Sequence, residues 1–506
     1  MPPLFAIDGF GQGGCMRKHW LCIGAAGLLT LMSACGKETA PEAGKVPTQA
    51  VGGETAGNED GGESGGNGKN GDAEDGTENP DGGNSQNPDD KGSDDGSGNT
   101  GDGNTGGTDK ENGGSFGDAD AKPTPPAEWI VEDMNIGPAT SLTPLKEAYA
   151  PYFKVGVGLT GYAPHVMMTT SEAMSEIVKY HFNSTTLTNL MKPSYLLDQK
   201  GSIENAENGD GMPAVKFDSC IDALEFCKEN GIGMRGHTLV WHAQVPDWFF
   251  REGYENDAPL VTRETMLSRM ESYIAQVIGF TEENYPGVVY CWDVVNEAVE
   301  PGAGMHEDET GYCIRTYNGE EENLWYTVVG ADYVEMAFTY ARKYAPEGVK
   351  LFYNDYNTFQ PVKNEKICAL LSDLSAKGLV DGVGMQSYYD RKNPDIKGRT
   401  GSVQAAIENF SELGLEIQIT ELTINIDEPD ERALLVQAMR YKEMFQLLME
   451  LDTDNGGPAN ITSVTVFGLM DEYMLYPDNT EYSRFFDGEL QPKQAILWVL
   501  DAAEGK

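Results

Sequence analysis

The sequence predicts an α/β fold, a closed parallel (β/α)8 barrel spanning residues 127–506. Three observations predict it. Short β-branched runs alternate with stretches of helical period from about residue 150 onward, the pattern of strands joined by crossover helices. The region is long enough for one such barrel with enlarged loops. Polar residues gather where the apolar runs end, which is where this fold builds its sites.

In chain order the predicted strands are 153–159, 181–187, 231–241, 288–297, 350–357, 382–389, 416–425 and 463–469. Helical periodicity fills 217–229, 263–285, 332–344 and 403–413, and a last helical stretch at 491–502 closes the chain. The largest loop, 300–325, follows directly on the fourth strand.

Two regions precede the barrel. Residues 1–35 have the layout of a lipoprotein-type export signal, and Met16 is the expected start. Met16-Arg17-Lys18-His19 is positive, an apolar run follows from Leu21 to Met32, and Ser33-Ala34-Cys35 is a small-residue processing site;. The run is too short to span a membrane. Cys35 is the expected point of lipid attachment, and so the only membrane contact. Residues 36–126 read as a disordered Gly/Asp/Asn-rich acidic linker. Residues 51–120 contain 22 glycines and hardly any large apolar side chains, too little to offset the entropy of ordering. The linker's acidic charge extends it by self-repulsion.

The formal net charge is −45, which argues against nucleic acid as a partner. Eight cysteines include five in the barrel region, Cys220, Cys227, Cys291, Cys313 and Cys368, with no C-x-x-C pair. Buried free thiols are expected, and no metal site. His237 and His242 lie five apart on a strand and point to opposite faces, so they do not share an ion. No cofactor is called for, and a monomer is expected.

Two strand ends carry the decisive residues. Tyr290-Cys291-Trp292-Asp293-Val294-Val295-Asn296-Glu297 ends in one glutamate, and Glu416-Ile417-Gln418-Ile419-Thr420-Glu421 in another. Two carboxyls presented from one barrel mouth suit cleavage of a glycosidic bond. One protonates the leaving oxygen; the other attacks the sugar or activates water. The other strand ends supply Asn189 and Lys192, His237 to Gln244, Asn354 to Asn357, and Gln386 with Tyr388.

Four runs resemble, in order, glycoside hydrolase family 10. They are Gly236-His237-Thr238-Leu239-Val240-Trp241-His242, Trp292-Asp293-Val294-Val295-Asn296-Glu297-Ala298, Asn354-Asp355-Tyr356-Asn357 and Ile419-Thr420-Glu421-Leu422. The resemblance implies a retaining endo-1,4-β-xylanase acting on xylan or xylo-oligosaccharides by double displacement. It implies Glu297 as general acid/base and Glu421 as nucleophile. It places Asn296 on the sugar 2-hydroxyl, and Asn189, Lys192, His237, Trp241 and Gln244 along the non-reducing side. Gln386 and Tyr388 join the substrate-binding set.

The chain also departs from that family. Tyr388 stands where a histidine is usual, and Thr423 where an aspartate orients it. A tyrosine hydroxyl donates to a carboxylate without an acidic orienter, so the swap is self-consistent. Phe467 and Leu475 replace two tryptophans, and Thr188 replaces a glutamate. These changes point to a decorated xylan and to weaker action on linear chains. They leave two alternatives open: another β-1,4-glycanase, or a surface glycan-binding protein with weakened catalysis.

Overall fold

The computed structural model describes residues 136–159, 171–302, 310–319, 321–471 and 482–506. The predicted signal segment, its Cys35, the linker and Leu475 lie outside the described residues.

Eight strands form the barrel: β1 (Lys154–Leu159), β2 (Ser184–Leu187), β3 (Gly233–Trp241), β4 (Val289–Asn296), β5 (Lys350–Tyr356), β6 (Gly382–Gln386), β7 (Glu416–Asn425) and β8 (Asn460–Val466). Each pairs in parallel with the next, and β1 pairs with β8, so the sheet closes. The principal outer helices are α1 (Glu172–His181), α2 (Ile221–Asn230), α3 (Arg263–Asn284), α4 (Tyr333–Tyr344), α5 (Pro361–Ala376), α6 (Val403–Ser411), α7 (Glu431–Leu451) and α8 (Gln494–Ala503).

Local chemistry explains the helix starts. Ser171, Thr262, Ser402 and Asp430 accept the free amide of Met174, Thr265, Ala405 and Ala433. Each such cap contributes about 1 kcal/mol. Pro361 opens α5, where its missing N–H costs nothing;. Among the strands, bounds of β2, β6 and β8 differ from expectation by three residues, and the others by no more than two. His181 closes α1 rather than opening β2, because its imidazole is buried and bonds Ala139 O at 3.0 Å. β8 begins at Asn460, three residues earlier than expected, since the exposed Asn460 and half-buried Thr462 mask the start of the apolar pattern.

Three irregularities sit at the barrel mouth. On β3 the pairing steps from His237↔Asp293 to Val240↔Val295, three residues against two. On β4 it steps from Asp293↔Phe352 to Val295↔Tyr353. On β7 it steps from Ile419↔Val464 to Leu422↔Val466. Bulges of this kind re-aim side chains. The β7 shift is legible in the sequence: the apolar alternation Ile417, Ile419 resumes out of phase at Leu422, Ile424.

Candidate active site

Consecutive residues on a regular strand point to opposite faces. At two places here they do not. Thr420 Oγ1 donates to Asn354 Oδ1 at 2.8 Å, and Glu421 Oε1 accepts from Asn354 Nδ2 at 3.0 Å. The β7 bulge turns both toward one asparagine. On β4, Asn296 Oδ1 and Glu297 Oε1 both accept from Gln386 Nε2, at 3.1 and 2.9 Å. Glu297 manages this with a left-handed backbone, φ 54°, which non-glycine residues seldom adopt.

The two carboxyls are thereby linked by side-chain amides. Gln386 bonds Glu297 and Asn296, and Asn354 Nδ2 bonds Asn296 Oδ1 at 2.9 Å as well as Glu421. Asn296 Oδ1 accepts both bonds, which fixes its amide and turns Nδ2 away. Asn296 Nδ2 is buried with no protein partner. Leaving such a donor unpaired costs about 1–3 kcal/mol, so Asn296 Nδ2 favours an acceptor oxygen, which a hydroxyl or water supplies.

Close approach makes the network possible. A Cβ on Gly384 would lie 2.3 Å from Asn354 Oδ1 and 2.7 Å from an Arg235 nitrogen. Glycine at that point of β6 lets Asn354 and Arg235 share the barrel interior.

The second oxygen of each carboxyl is also held. Trp241 Nε1 donates to Glu297 Oε2 at 3.0 Å. The Tyr388 hydroxyl donates to Glu421 Oε2. Tyr388 is half exposed, and its ring meets Phe467 edge-on with centroids 5.8 Å apart. The tyrosine thus occupies the position expected for the missing histidine, beside Thr423, its partner on β7.

Under this layer lies a buried ion group. Arg235 donates to both oxygens of Asp293 and reaches Gln418 Oε1 at 2.6 Å. His237 Nδ1 lies 3.0 Å from Asp293 Oδ2. A carboxylate only accepts, so Nδ1 carries a proton. Burial pushes the Asp293 carboxyl up, but Arg235 and the His237 hydrogen bond outweigh it and hold it below the usual range. On the far side of Trp241, Lys192 Nζ sits 4.6 Å above the indole ring and bonds Asn189 Oδ1 at 2.9 Å. Gln244 ends this stretch in a left-handed conformation, and its carbonyl accepts from Ser194 N at 2.9 Å.

Burial holds the Glu421 carboxyl above the usual glutamate range. His237 and the Tyr388 hydrogen bond work against this rise, and Glu297 adds to it. The folded state therefore keeps the proton to higher pH than the unfolded chain does. Stability falls as pH rises from the unfolded glutamate value through the raised folded one. Glu421→Gln removes that loss. Thermal melts are expected to show the variant more stable than wild type at pH 7, with the gap closing below the usual carboxylate range. Equal melting temperatures at pH 7 would contradict the assignment.

Removing only the Tyr388 hydroxyl tests the other neighbour. A hydrogen bond to a charged group is worth about 1.5–3 kcal/mol. Tyr388→Phe is accordingly expected to lower kcat by about 10- to 100-fold, measured by initial rates. An unchanged kcat would remove Tyr388 from the catalytic shell.

Every described residue expected at the site lies at the mouth of the barrel. Two features differ from expectation. Trp241, expected along the non-reducing side, donates its indole N–H to Glu297. Asn354, part of the strand-five motif with no expected role, is the amide that reaches Glu421. Cys220, Cys227 and Cys291 are buried free thiols as expected, while Cys368 is a free thiol only half-buried beside α6. Among the described residues no group of His, Cys, Asp or Glu is arranged to hold a metal ion.

A closed parallel barrel bearing two carboxyls on a shared amide network defines a glycoside hydrolase. The chain belongs to glycosyl hydrolase family 10, whose sequence model matches residues 144–502. A relative from Caldicellulosiruptor saccharolyticus is 48% identical over 317 residues, covering 62% of this chain and 96% of its own length. Endo-1,4-beta-xylanase B of Butyrivibrio fibrisolvens is 42% identical over 363 residues, 71% of this chain and 53% of that protein. Among solved structures, the CBM22-1–GH10 modules of endo-1,4-beta-D-xylanase 10B from Clostridium thermocellum, complexed with xylohexaose, are similar. The TM-score is 0.62 at 34% identity, covering 71% of this chain and 67% of that one. The intracellular xylanase of Thermoanaerobacterium saccharolyticum, in a mutant complexed with xylotetraose, gives a TM-score of 0.58 at 29% identity, covering 71% and 99%.

Proposed function

We infer that the chain is a retaining endo-1,4-β-xylanase that cleaves internal β-1,4-xylosidic bonds of xylan by double displacement. The observation that carries this is the amide relay joining Glu297 to Glu421. It holds both carboxyls in place and leaves the buried Asn296 Nδ2, which has no protein partner, for a sugar hydroxyl.

The chemistry runs in two steps. Glu421 attacks the anomeric carbon while Glu297 gives its proton to the departing oxygen, leaving a glycosyl ester on Glu421. Esterification removes the negative charge beside Glu297, which then takes a proton from water. That water oxygen bonds the anomeric carbon, and Glu421 leaves as carboxylate. The donors Asn354 and Tyr388 receive the charge that returns to it. Asn296 Nδ2 is suited to the 2-hydroxyl, where hydrogen bonds strengthen in the transition state. Asn189, Lys192 and Trp241 form a contiguous wall for the non-reducing side, with His237 and Gln244 beside it.

The glycan-binding alternative rests on the missing histidine–aspartate pair. A hydroxyl donating to Glu421 from Tyr388 supplies the bond that pair would have made and favours catalysis. A reducing-sugar assay on glucuronoxylan, arabinoxylan and carboxymethylcellulose, run beside Glu421→Ala, separates the readings. Release from the xylans alone, lost in the variant, is expected. Release from carboxymethylcellulose would indicate another β-glycanase, and binding without release would indicate a binding protein.

We propose further that the protein is exported and held at the cell surface by a lipid on Cys35, with the acidic linker as spacer. The signal layout from Met16 to Cys35 supports this. Labelled palmitate is expected to enter the full chain and not Cys35→Ser. Equal labelling of the two, or none in wild type, would refute it.

A further inference from the structure

The left-handed turn at Glu297 needs something to hold it, since its φ of 54° is one that residues with a Cβ rarely adopt;. The loop that follows supplies the restraint. Glu297 N donates to Asn354 O at 2.8 Å, and Glu300 N donates to Cys313 O at 2.9 Å. Val299 N donates to the Tyr353 hydroxyl at 2.9 Å. Arg315 N donates to Ala298 O at 2.7 Å. The returning strand of the loop thus lies against residues 298–300 and brings the Arg315 side chain beneath the glutamate.

Arg315 Nε donates to the carbonyl oxygen of Glu297 itself, at 3.2 Å. Its Nη2 donates to Glu300 Oε2 at 2.9 Å and to the Tyr356 hydroxyl at 2.7 Å. Those two acceptors are fixed in turn. Tyr356 donates to Glu300 Oε2 at 2.6 Å, and Lys363 bridges Glu300 and Asp355 at 3.1 and 2.9 Å. A buried, planar guanidinium meets three acceptors at set angles, which a lysine ammonium does not reproduce. On the other side of Glu297, Trp241 and Gln386 each hold one carboxyl oxygen. A turn released at its carbonyl would move that carboxyl out of reach of both.

We propose that Arg315 is a positioning residue for the acid/base. It clamps the Glu297 carbonyl and so sets the carboxyl against the oxygen that must be protonated. The proposal rests on Glu297 being the acid/base. A mispositioned acid has a signature that general loss of structure lacks. It slows departure of a poor leaving group, a sugar hydroxyl, and spares one that departs without a proton, such as 2,4-dinitrophenolate.

The experiment compares wild type, Arg315→Lys and Arg315→Met on xylotetraose and on 2,4-dinitrophenyl β-xylobioside, with circular dichroism as the fold control. For both variants kcat/KM on xylotetraose is expected to fall about 10- to 100-fold, the scale of a misplaced catalytic group. On the dinitrophenyl substrate kcat/KM is expected to stay nearly unchanged. Added azide is expected to raise kcat there, because deglycosylation then lacks a well-placed base. Equal losses on the two substrates would overturn the proposal. A higher KM for xylotetraose with unchanged kcat would do the same, since that marks a substrate contact. Failure of both variants to fold would make Arg315 a folding residue and overturn it too. Glu297→Ala is run in parallel. If it lacks the leaving-group dependence, the acid/base assignment fails; if it alone shows the dependence, only the clamp fails.

Discussion

Glu421→Ala is expected to reduce xylan hydrolysis by about 10⁴-fold or more, the order of loss when a nucleophile is taken from a site that works as a unit. The loss follows from what Glu421 does in both steps. Without it no glycosyl ester forms, and water would have to attack directly from a site shaped for a carboxylate. The neighbours cannot substitute. Asn354 and Tyr388 present only donors toward this position, and His237 faces Asp293 through Nδ1. Reducing-sugar release by purified protein checks the outcome. Near-normal activity would transfer the nucleophile's role to another group. The variant is also expected to retain xylo-oligosaccharide binding, measured by calorimetry, since Asn189, Lys192, Trp241 and Asn296 remain.

Glu297→Ala is expected to lower kcat/KM on xylan by about 10²–10⁴-fold, the usual share of general acid–base catalysis. Its profile should differ from that of Glu421→Ala. Glycosides whose leaving groups depart unaided should form the glycosyl ester at near wild-type rates and then stall, because no base activates water. Azide, which needs no base, should restore turnover and give a β-glycosyl azide. Steady-state kinetics on dinitrophenyl and oligosaccharide substrates, with and without azide, checks this. A uniform loss across leaving groups would deny Glu297 the acid's role.

How much of this was legible in the sequence depended on range. The bounds of β7 are legible because Ile417, Ile419, Leu422 and Ile424 mark it locally. The barrel followed from the alternation of such runs. The carboxyl pair was legible because both glutamates end strands, and this fold places strand ends at one mouth. The swap at Tyr388 was visible as a residue type, while its bond to Glu421 is tertiary. The role of Asn354 stayed hidden, since it arises from two bulges and from the space left by Gly384. Arg315 had no local signal at all. It lies in a long loop without periodicity, and its partners Glu297, Glu300 and Tyr356 are distant in the chain or outside any regular pattern.

Proton NMR of the first products tests the central claim most directly. Two displacements at one carbon return it to its starting configuration, so freshly released reducing ends must appear as the β-anomer and only later mutarotate. Initial α-anomer would mean a single displacement by water, and Glu421 would lose its place as nucleophile.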